Sequence, residues 1–370
     1  MILPQLGIGD LVSRIPIIQG GMGIGISLSR LASAVAEQGG IGVISGAMPG
    51  INEPDIAENG DQAHIRVLRR EIRKGREKTK GILGVNILAA LTNFGDMVRT
   101  SIEEGIDIIF SGAGLPLDLP GYLTEGVKTK LAPIVSSARA AKIICKKWWS
   151  RFNYLPDALV VEGPMAGGHI GFRPEQIEDP LFCLEKLVEE VLAEVRLVEA
   201  EHGKRIPVIA AGGIFDGADI YRFLAMGAAG VQMGTRFVTT HECDASDAFK
   251  QAYVDSKEED MVIIQSPLGL PGRAVRNSFL HEAGEGKRKP FKCLFHCIKN
   301  CDMTKSPYCI TAALGQARKG KFKSGFAFAG KNAFRVKEII SVKELIDGLK
   351  MEFSLFAAQH GYPFSLGFGR

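Results

Sequence analysis

The chain has 370 residues, 46% of them hydrophobic, enough for a sizeable core and too apolar for a disordered chain. Forty-five Lys and Arg against 41 Asp and Glu leave a formal charge of +4 spread along the sequence, which excludes a nucleic-acid binder built on a basic face. No run of about 18 apolar residues could span a bilayer, and residues 1–9 lack the basic start and apolar core of a secretory signal, so a soluble cytoplasmic protein is expected.

Short apolar runs, each followed by a polar or Gly-rich turn and then a helical pattern, recur along the chain. The first predicted strand, 15–18, runs into Gln19-Gly20-Gly21-Met22-Gly23, where flexible backbone surrounds one thioether against which a planar ligand could lie. A helix over 28–38 leads to strand two, 41–44, and to a long polar excursion, 46–60. A helix over 61–78 precedes strand three, 83–87, whose Asn86 offers an amide able to donate and accept at the polar edge of a heteroaromatic ring. Then come a helix over 94–104, strand four at 106–110, a short strand five at 132–135 containing Pro133, and a helix over 138–149. Trp148 and Trp149 at its end read as core or interface.

Strand six, 158–161, ends in Glu162, and the turn beyond it carries Gly167, Gly168 and His169. A histidine behind paired glycines at a strand end, on the face that bears barrel active sites, is the candidate catalytic residue. His64 and His202 fall in helical patterns and are expected at the surface. After a helix over 181–201, strands seven (207–210) and eight (230–233) flank a helix over 216–226. Each strand finishes in glycine: Gly212 and Gly213 after one, Gly234 and then Thr235 after the other, with Gln232 and Met233 alongside. Glycine N–H groups at the ends of consecutive parallel strands, helped by a following helix N-terminus, can converge on a phosphate. The loops after strands seven and eight are the standard phosphate site of eight-stranded barrels. Eight alternations therefore predict an α/β fold, a (β/α)8 TIM barrel in which strands one and eight are neighbours.

Residues 243–330 exceed what the last barrel unit needs and read as an insertion or lid on a barrel core of 1–242, with a C-terminal helical segment, 331–370, returning to cover the barrel. Within the insertion, 266–273 is stiffened by prolines and hinged by glycines, a lid or a surface connection. Arg273 and Arg276 could there serve an anionic substrate or a pyridine nucleotide phosphate. The basic run 286–289 reads as a solvated loop. Seven cysteines, an odd number, argue against a disulfide framework. Cys293, Cys297, Cys301 and Cys309 follow a C-x3-C-x3-C-x7-C spacing that admits a [4Fe-4S] cluster, zinc or unligated thiols.

Together, Ile17-Ile18-Gln19-Gly20-Gly21-Met22, Asn86, Gly167-Gly168-His169, Ala210-Ala211-Gly212-Gly213-Ile214 and Gly230-Val231-Gln232-Met233-Gly234-Thr235-Arg236 resemble the nitronate monooxygenase (2-nitropropane dioxygenase) family, related to enoyl-acyl-carrier-protein reductase II. The resemblance covers roughly residues 1–240 and implies an FMN-containing barrel. It puts Gly212, Gly213, Gly234 and Thr235 on the FMN phosphate, Met22 and Asn86 at the isoalloxazine, Gly167 along the cofactor, and His169 facing substrate. Gly21, Glu162, Gly168, Gln232 and Met233 complete the expected cofactor wall. Nitronate monooxygenases usually have a glutamine before the glycine-histidine run; the pairing Glu162-Gly163 is more similar to the reductase branch, whose second glutamate is replaced by Met165.

The implied reaction is FMN-dependent oxidative denitrification of alkyl nitronates with O2. The alternative is NAD(P)H-dependent reduction of an enoyl thioester or another activated alkene, with a cysteine-bound cluster feeding electrons to FMN or pinning the insertion. A barrel that binds a phosphorylated ligand without turnover is the third reading. Expected partners are a small-molecule substrate, NAD(P)H in the reductive case and a second copy in a homodimer, with neither nucleic acid nor membrane.

Overall fold

Among the described residues, eight parallel strands alternate with helices: β1 (Ile17–Gln19), β2 (Gly42–Ser45), β3 (Leu83–Leu88), β4 (Ile108–Gly112), β5 (Lys130–Val135), β6 (Leu159–Glu162), β7 (Val208–Ala211) and β8 (Gly230–Met233). The computed structural model describes residues 3–287, 293, 295–299, 301–302 and 304–361. Arg288 and Lys289 of the basic run and 362–370 of the expected C-terminal segment lie outside them. From β2 to β8 each strand pairs with the next, and β8 pairs with β1 through Val231↔Ile17 and Met233↔Gln19. Between β1 and β2 the ladder shrinks to one bridge, Ile18↔Ile41. There the fully buried Gln19 stands in for a peptide group: its Oε1 accepts the Val43 N–H at 3.0 Å and its Nε2 donates to the Val43 carbonyl at 3.2 Å. The fold is a (β/α)8 barrel.

The strands read as continuous apolar runs because both faces are covered. One face of each points into the barrel, where Ile18, Val43, Phe110, Ala132, Val160 and Ile209 form one cluster. The other lies under the helices, where Ile17, Ile44, Val85, Ile109, Val161 and Val231 join the larger core. A hairpin absent from the sequence reading, Leu6–Ile8 with Leu11–Ser13, stops the N-terminal end of the barrel, and its Leu6 and Ile8 belong to the interior cluster. Helices Ser29–Glu37, Gly60–Lys78, Phe94–Glu103, Ala138–Phe152, Leu184–His202 and Gly217–Ala225 fall where the periodicity puts them.

The wall position after β8 is filled from far along the chain. Only the short helix Thr235–Val238 follows β8 directly, whereas the helix Val342–His360 packs between Gly217–Ala225 and Ser29–Glu37. The approach is close enough that a Cβ on Gly217 would lie 2.1 Å from the Phe353 backbone nitrogen, and the Gly217 N–H donates to Glu352 Oε2 at 2.9 Å. No helix among the described residues is long and apolar enough to cross a membrane.

Two histidine expectations change. His64 is 2% exposed, because its Nδ1 accepts the Gly50 N–H at 3.0 Å and so anchors the excursion after β2. Burial pushes this imidazole down to about 4, so it stays neutral. His202 is partly covered by Trp149, ring centroids 4.4 Å apart, while Trp148 is buried with its Nε1 donating to the Pro116 carbonyl at 3.0 Å.

Candidate active site

At the C-terminal end of the barrel the inward-facing positions turn polar. Ser45 pairs with Asn86 across β2 and β3, and Ala211 lies in register with Glu162 on one side and Gln232 on the other. Alternation therefore aims Asn86, Glu162 and Gln232 into the mouth, one pleat above the apolar plug. Asn86 is 7% exposed, and among the described residues none of these three side chains makes a hydrogen bond or ion pair. Polar groups left unpaired in so enclosed a place mark a site meant for something else.

Glu162 carries the electrostatic signature of that enclosure: burial pushes its carboxyl from the ordinary 4.5 up to about 7. A folded-state value above the unfolded one means that Glu162 supports the fold fully below about pH 4.5 and progressively less as pH rises through about 7. The expected outcome is that Glu162→Gln in the ligand-free protein melts higher than wild type above about pH 7, the gap closing near about pH 4. Thermal melts across that range check it; a pH-independent gap contradicts it.

The strand ends supply a second feature. Gly212 and Gly213 adopt φ of 90° and 101°, a region that residues with a Cβ enter only under strain. Their N–H groups, with those of Gly234 and Thr235, meet no acceptor among the described residues. A Cβ on Gly234 would find only Met22 Sδ, 3.8 Å away, so Met22 and the end of β8 share one edge of the mouth. A Cβ on Gly21 would lie 2.3 Å from Asn86 Cβ, and it is the missing side chain that lets the β1 loop rest on Asn86. Met233 points away, into the packed layer under the helices.

Over this rim runs a segment that the sequence reading missed, 329–332. The Gly330 N–H donates to Thr235 Oγ1 at 3.2 Å, the Lys331 N–H to the Met165 carbonyl at 3.0 Å, and Asn332 Nδ2 to the Gly213 carbonyl at 2.6 Å. It presses so closely on the loop after β6 that a Cβ on Gly167 would sit 2.6 Å from the Gly330 nitrogen. Gly325 and Gly330 around the apolar run 326–329 are the only local hint of it.

His169 is held on a three-stranded antiparallel sheet: Gly168–His169 pairs with Pro271–Val275, which pairs with Met261–Gln265. Its Nε2 is 2.7 Å from Ser266 Oγ, at the hairpin tip, and its ring meets Phe328 at 5.1 Å between centroids, interplanar angle 65°. Burial pushes the imidazole down to about 4. The stretch 266–273 therefore touches the candidate catalytic residue itself.

Arg273 is corrected. It is 2% exposed, and its Nη1 donates to the carbonyls of Pro164 (2.5 Å) and Ala166 (3.0 Å), so the guanidinium braces the loop after β6 and is not offered to an anionic substrate. Arg276 is exposed and donates to the Glu259 carbonyl at 2.8 Å.

The four cysteines of the insertion lie near enough to influence one another: Cys309 and Cys293 add to the rise of the Cys297 thiol, and Cys293 and Cys301 to that of Cys309. No group of three His, Cys, Asp or Glu placed to hold a metal is found among the described residues. Cys297 is buried 3.1 Å from Thr311 Oγ1, and burial raises its thiol to about 11. Cys309 instead caps the helix Ile310–Arg318, its Sγ accepting the Ala312 N–H at 3.5 Å, and Cys301 is exposed. The segment around Cys297 docks on the loop after β3 through the bridge Leu91↔Ile298.

Comparison with known proteins agrees with this geometry. The family described as nitronate monooxygenase matches residues 8–352. A Mycobacterium tuberculosis protein named (3aS,4S,5R,7aS)-5-hydroxy-7a-methyl-1-oxo-octahydro-1H-indene-4-carboxyl-CoA dehydrogenase is 30% identical over 273 residues, 74% of this chain and 66% of that one. A probable nitronate monooxygenase of Staphylococcus saprophyticus is 30% identical over 194 residues, 52% of this chain and 50% of that one. The chain thus spans between half and just under two thirds of these curated relatives. The solved structure of FabK from Thermotoga maritima superimposes with a TM-score of 0.71 at 29% identity, covering 93% of this chain and 94% of that one. With the family match running nearly end to end and the glycine-ended strands, Asn86 and His169 gathered at one barrel mouth, the chain belongs to the nitronate monooxygenase family.

Proposed function

We propose that the protein is an FMN-dependent oxidoreductase that oxidises alkyl nitronates with O2. The observation that carries this reading is the cradle of unpartnered N–H groups at Gly212, Gly213, Gly234 and Thr235, adjoining the unpaired side chains of Asn86 and Gln232. Donors without acceptors, on backbone without Cβ atoms, fit a phosphate, and the amides beside them fit the polar edge of a flavin ring. Once bound, FMN would supply the electron transfer that no side chain of this chain can perform.

The protein's own part is binding, orientation and exclusion of water. Gly212, Gly213, Gly234 and Thr235 take the phosphate; Met22 and Gly21 line the ring with Asn86, Gln232 and Glu162; Gly167 and Gly168 bring the loop after β6 against it. His169, neutral at working pH, hydrogen-bonds the nitro oxygens of a nitronate. In this reading the barrel core, 1–242, carries the cofactor, the described residues of 243–330 cover it, and those of 331–361 complete the wall.

A second reading is favoured by one feature, the unpaired carboxyl of Glu162, and by the names of two relatives, a CoA-thioester dehydrogenase and FabK. Here NAD(P)H is the donor and an acyl thioester the substrate. One experiment separates the two: protein purified without air should show flavin absorption bands, and a nitronate added anaerobically should bleach them. Bleaching by NADH or NADPH and not by nitronate moves the assignment to the reductase, and a colourless protein that takes up no FMN removes both.

A further inference from the structure

We propose that Ser266 is a positioning residue that holds His169 as the tautomer protonated on Nδ1, so that the imidazole meets substrate as a hydrogen-bond donor. The inference rests on the reading of His169 as a catalytic group and adds to it which ring nitrogen faces the chemistry.

The argument is one of proton counting. A serine hydroxyl has a single hydrogen to give and two lone pairs to receive. Ser266 is 3% exposed, and its Oγ already accepts the Leu268 N–H at 3.2 Å. The remaining contact is His169 Nε2 at 2.7 Å, and among the described residues no other acceptor stands within reach of that hydroxyl. Were Nε2 protonated, it would donate to Ser266, and the serine hydrogen would be buried without a partner, at a penalty of about 1–3 kcal/mol. With Nε2 unprotonated, the hydroxyl donates to it, and the one donor left over is the ring N–H of the half-buried histidine and no longer the hydroxyl of the buried serine. The ring proton then sits on Nδ1, which has no partner among the described residues.

The geometry is braced on three sides. The hairpin tip is closed by Ser266 N–H to the Leu270 carbonyl at 3.0 Å and Gly269 N–H to the Ser266 carbonyl at 2.9 Å. His169 lies opposite Gly272 in the neighbouring strand, and Phe328 meets the imidazole edge-on. Ser266 and His169 are 97 positions apart in sequence and are joined through one small sheet, so the hydroxyl that sets the tautomer belongs to the cover and the imidazole to the barrel. A neutral ring is what such a contact requires, and burial supplies it.

The test is the 15N NMR spectrum of the full-length flavoprotein labelled in its histidines, with His169 identified as the signals lost in His169→Asn. A pyrrole-type Nδ1 and a pyridine-type Nε2 are expected in wild type. Ser266→Ala should shift both towards the averaged values of exchanging tautomers, and Ser266→Thr should restore the split. A pyrrole-type Nε2 in wild type overturns the proposal, as does a Ser266→Ala spectrum with His169 unmoved. Should Ser266→Ala fail to fold, the wild-type assignment still decides. Unchanged turnover in His169→Asn would remove the catalytic reading and leave the tautomer assignment to stand or fall on the spectrum alone.

Discussion

His169→Asn keeps its flavin and loses at least about 100-fold in the rate at which substrate reduces that flavin. The side chain reaches no phosphate-binding group; it is tethered to Ser266 and Phe328 on the sheet that covers the mouth, so its removal leaves the glycine cradle as it was. What disappears is an imidazole held on the covering sheet, and a positioned proton-transfer or hydrogen-bonding group contributes about 10²–10⁴-fold to such steps. Because burial holds the ring down to about 4, it enters the reaction uncharged. Any inflection near about 7 should therefore come from Glu162 and persist in His169→Asn, with none contributed by the imidazole. Anaerobic stopped-flow reduction, measured for wild type and His169→Asn across pH, checks both statements. Equal rates in the two proteins would take His169 out of the chemistry.

Gly234→Ala and Gly213→Ala should each cost the protein its FMN, and for different reasons. At Gly213 the backbone is at φ 101°, and an added Cβ would stand 2.9 Å from Met165 Cβ. Strain of about 1–2 kcal/mol in that region turns the N–H away and lowers the stability of the protein itself. At Gly234 φ is −110°, which any residue adopts, and an added Cβ meets nothing nearer than Met22 Sδ at 3.8 Å. The protein alone tolerates that methyl group, so a loss of flavin there comes from the space the ligand needs. The expected result is an FMN dissociation constant at least about tenfold higher in both variants, which corresponds to roughly 1.4 kcal/mol. The apoprotein melting temperature should drop only in Gly213→Ala. Flavin titration by fluorescence and melts of stripped protein read the two effects; full flavin retention in Gly234→Ala would remove the phosphate from the end of β8.

Most of the barrel is legible in the sequence because its elements are local. Apolar runs of four or five residues and amphipathic helices of nine to nineteen announce themselves by periodicity, and the strand ends fall within two residues of expectation. The site was legible to the extent that it is made of strand ends: Asn86, Glu162, Gln232 and the glycines of β7 and β8 lie on the mouth because the pleat puts them there. What stayed hidden is held by long-range contacts. Arg273 sits among prolines and glycines like a surface residue, and only the carbonyls of Pro164 and Ala166, more than 100 positions upstream, explain why it is buried. Strand Gly168–His169 is two residues long and has no pattern of its own, so its sheet could not be foreseen. His64 has helical spacing that suits either face, and the Gly50 N–H decides which one is covered. The cysteine spacing shows that the four thiols can approach one another, but not that Cys297 meets Thr311, that Cys309 caps a helix and that the segment docks on the β3 loop, which are long-range or side-chain contacts.

The late position of the helix Val342–His360 bears on how the molecule is made. A ribosome releases β1 to β8 long before this last stave, and until it arrives the groove between Gly217–Ala225 and Ser29–Glu37 stays open to water. Cover and closing stave leave the ribosome as one continuous stretch, so the wall of a nascent barrel cannot close before every residue of its roof has been synthesised.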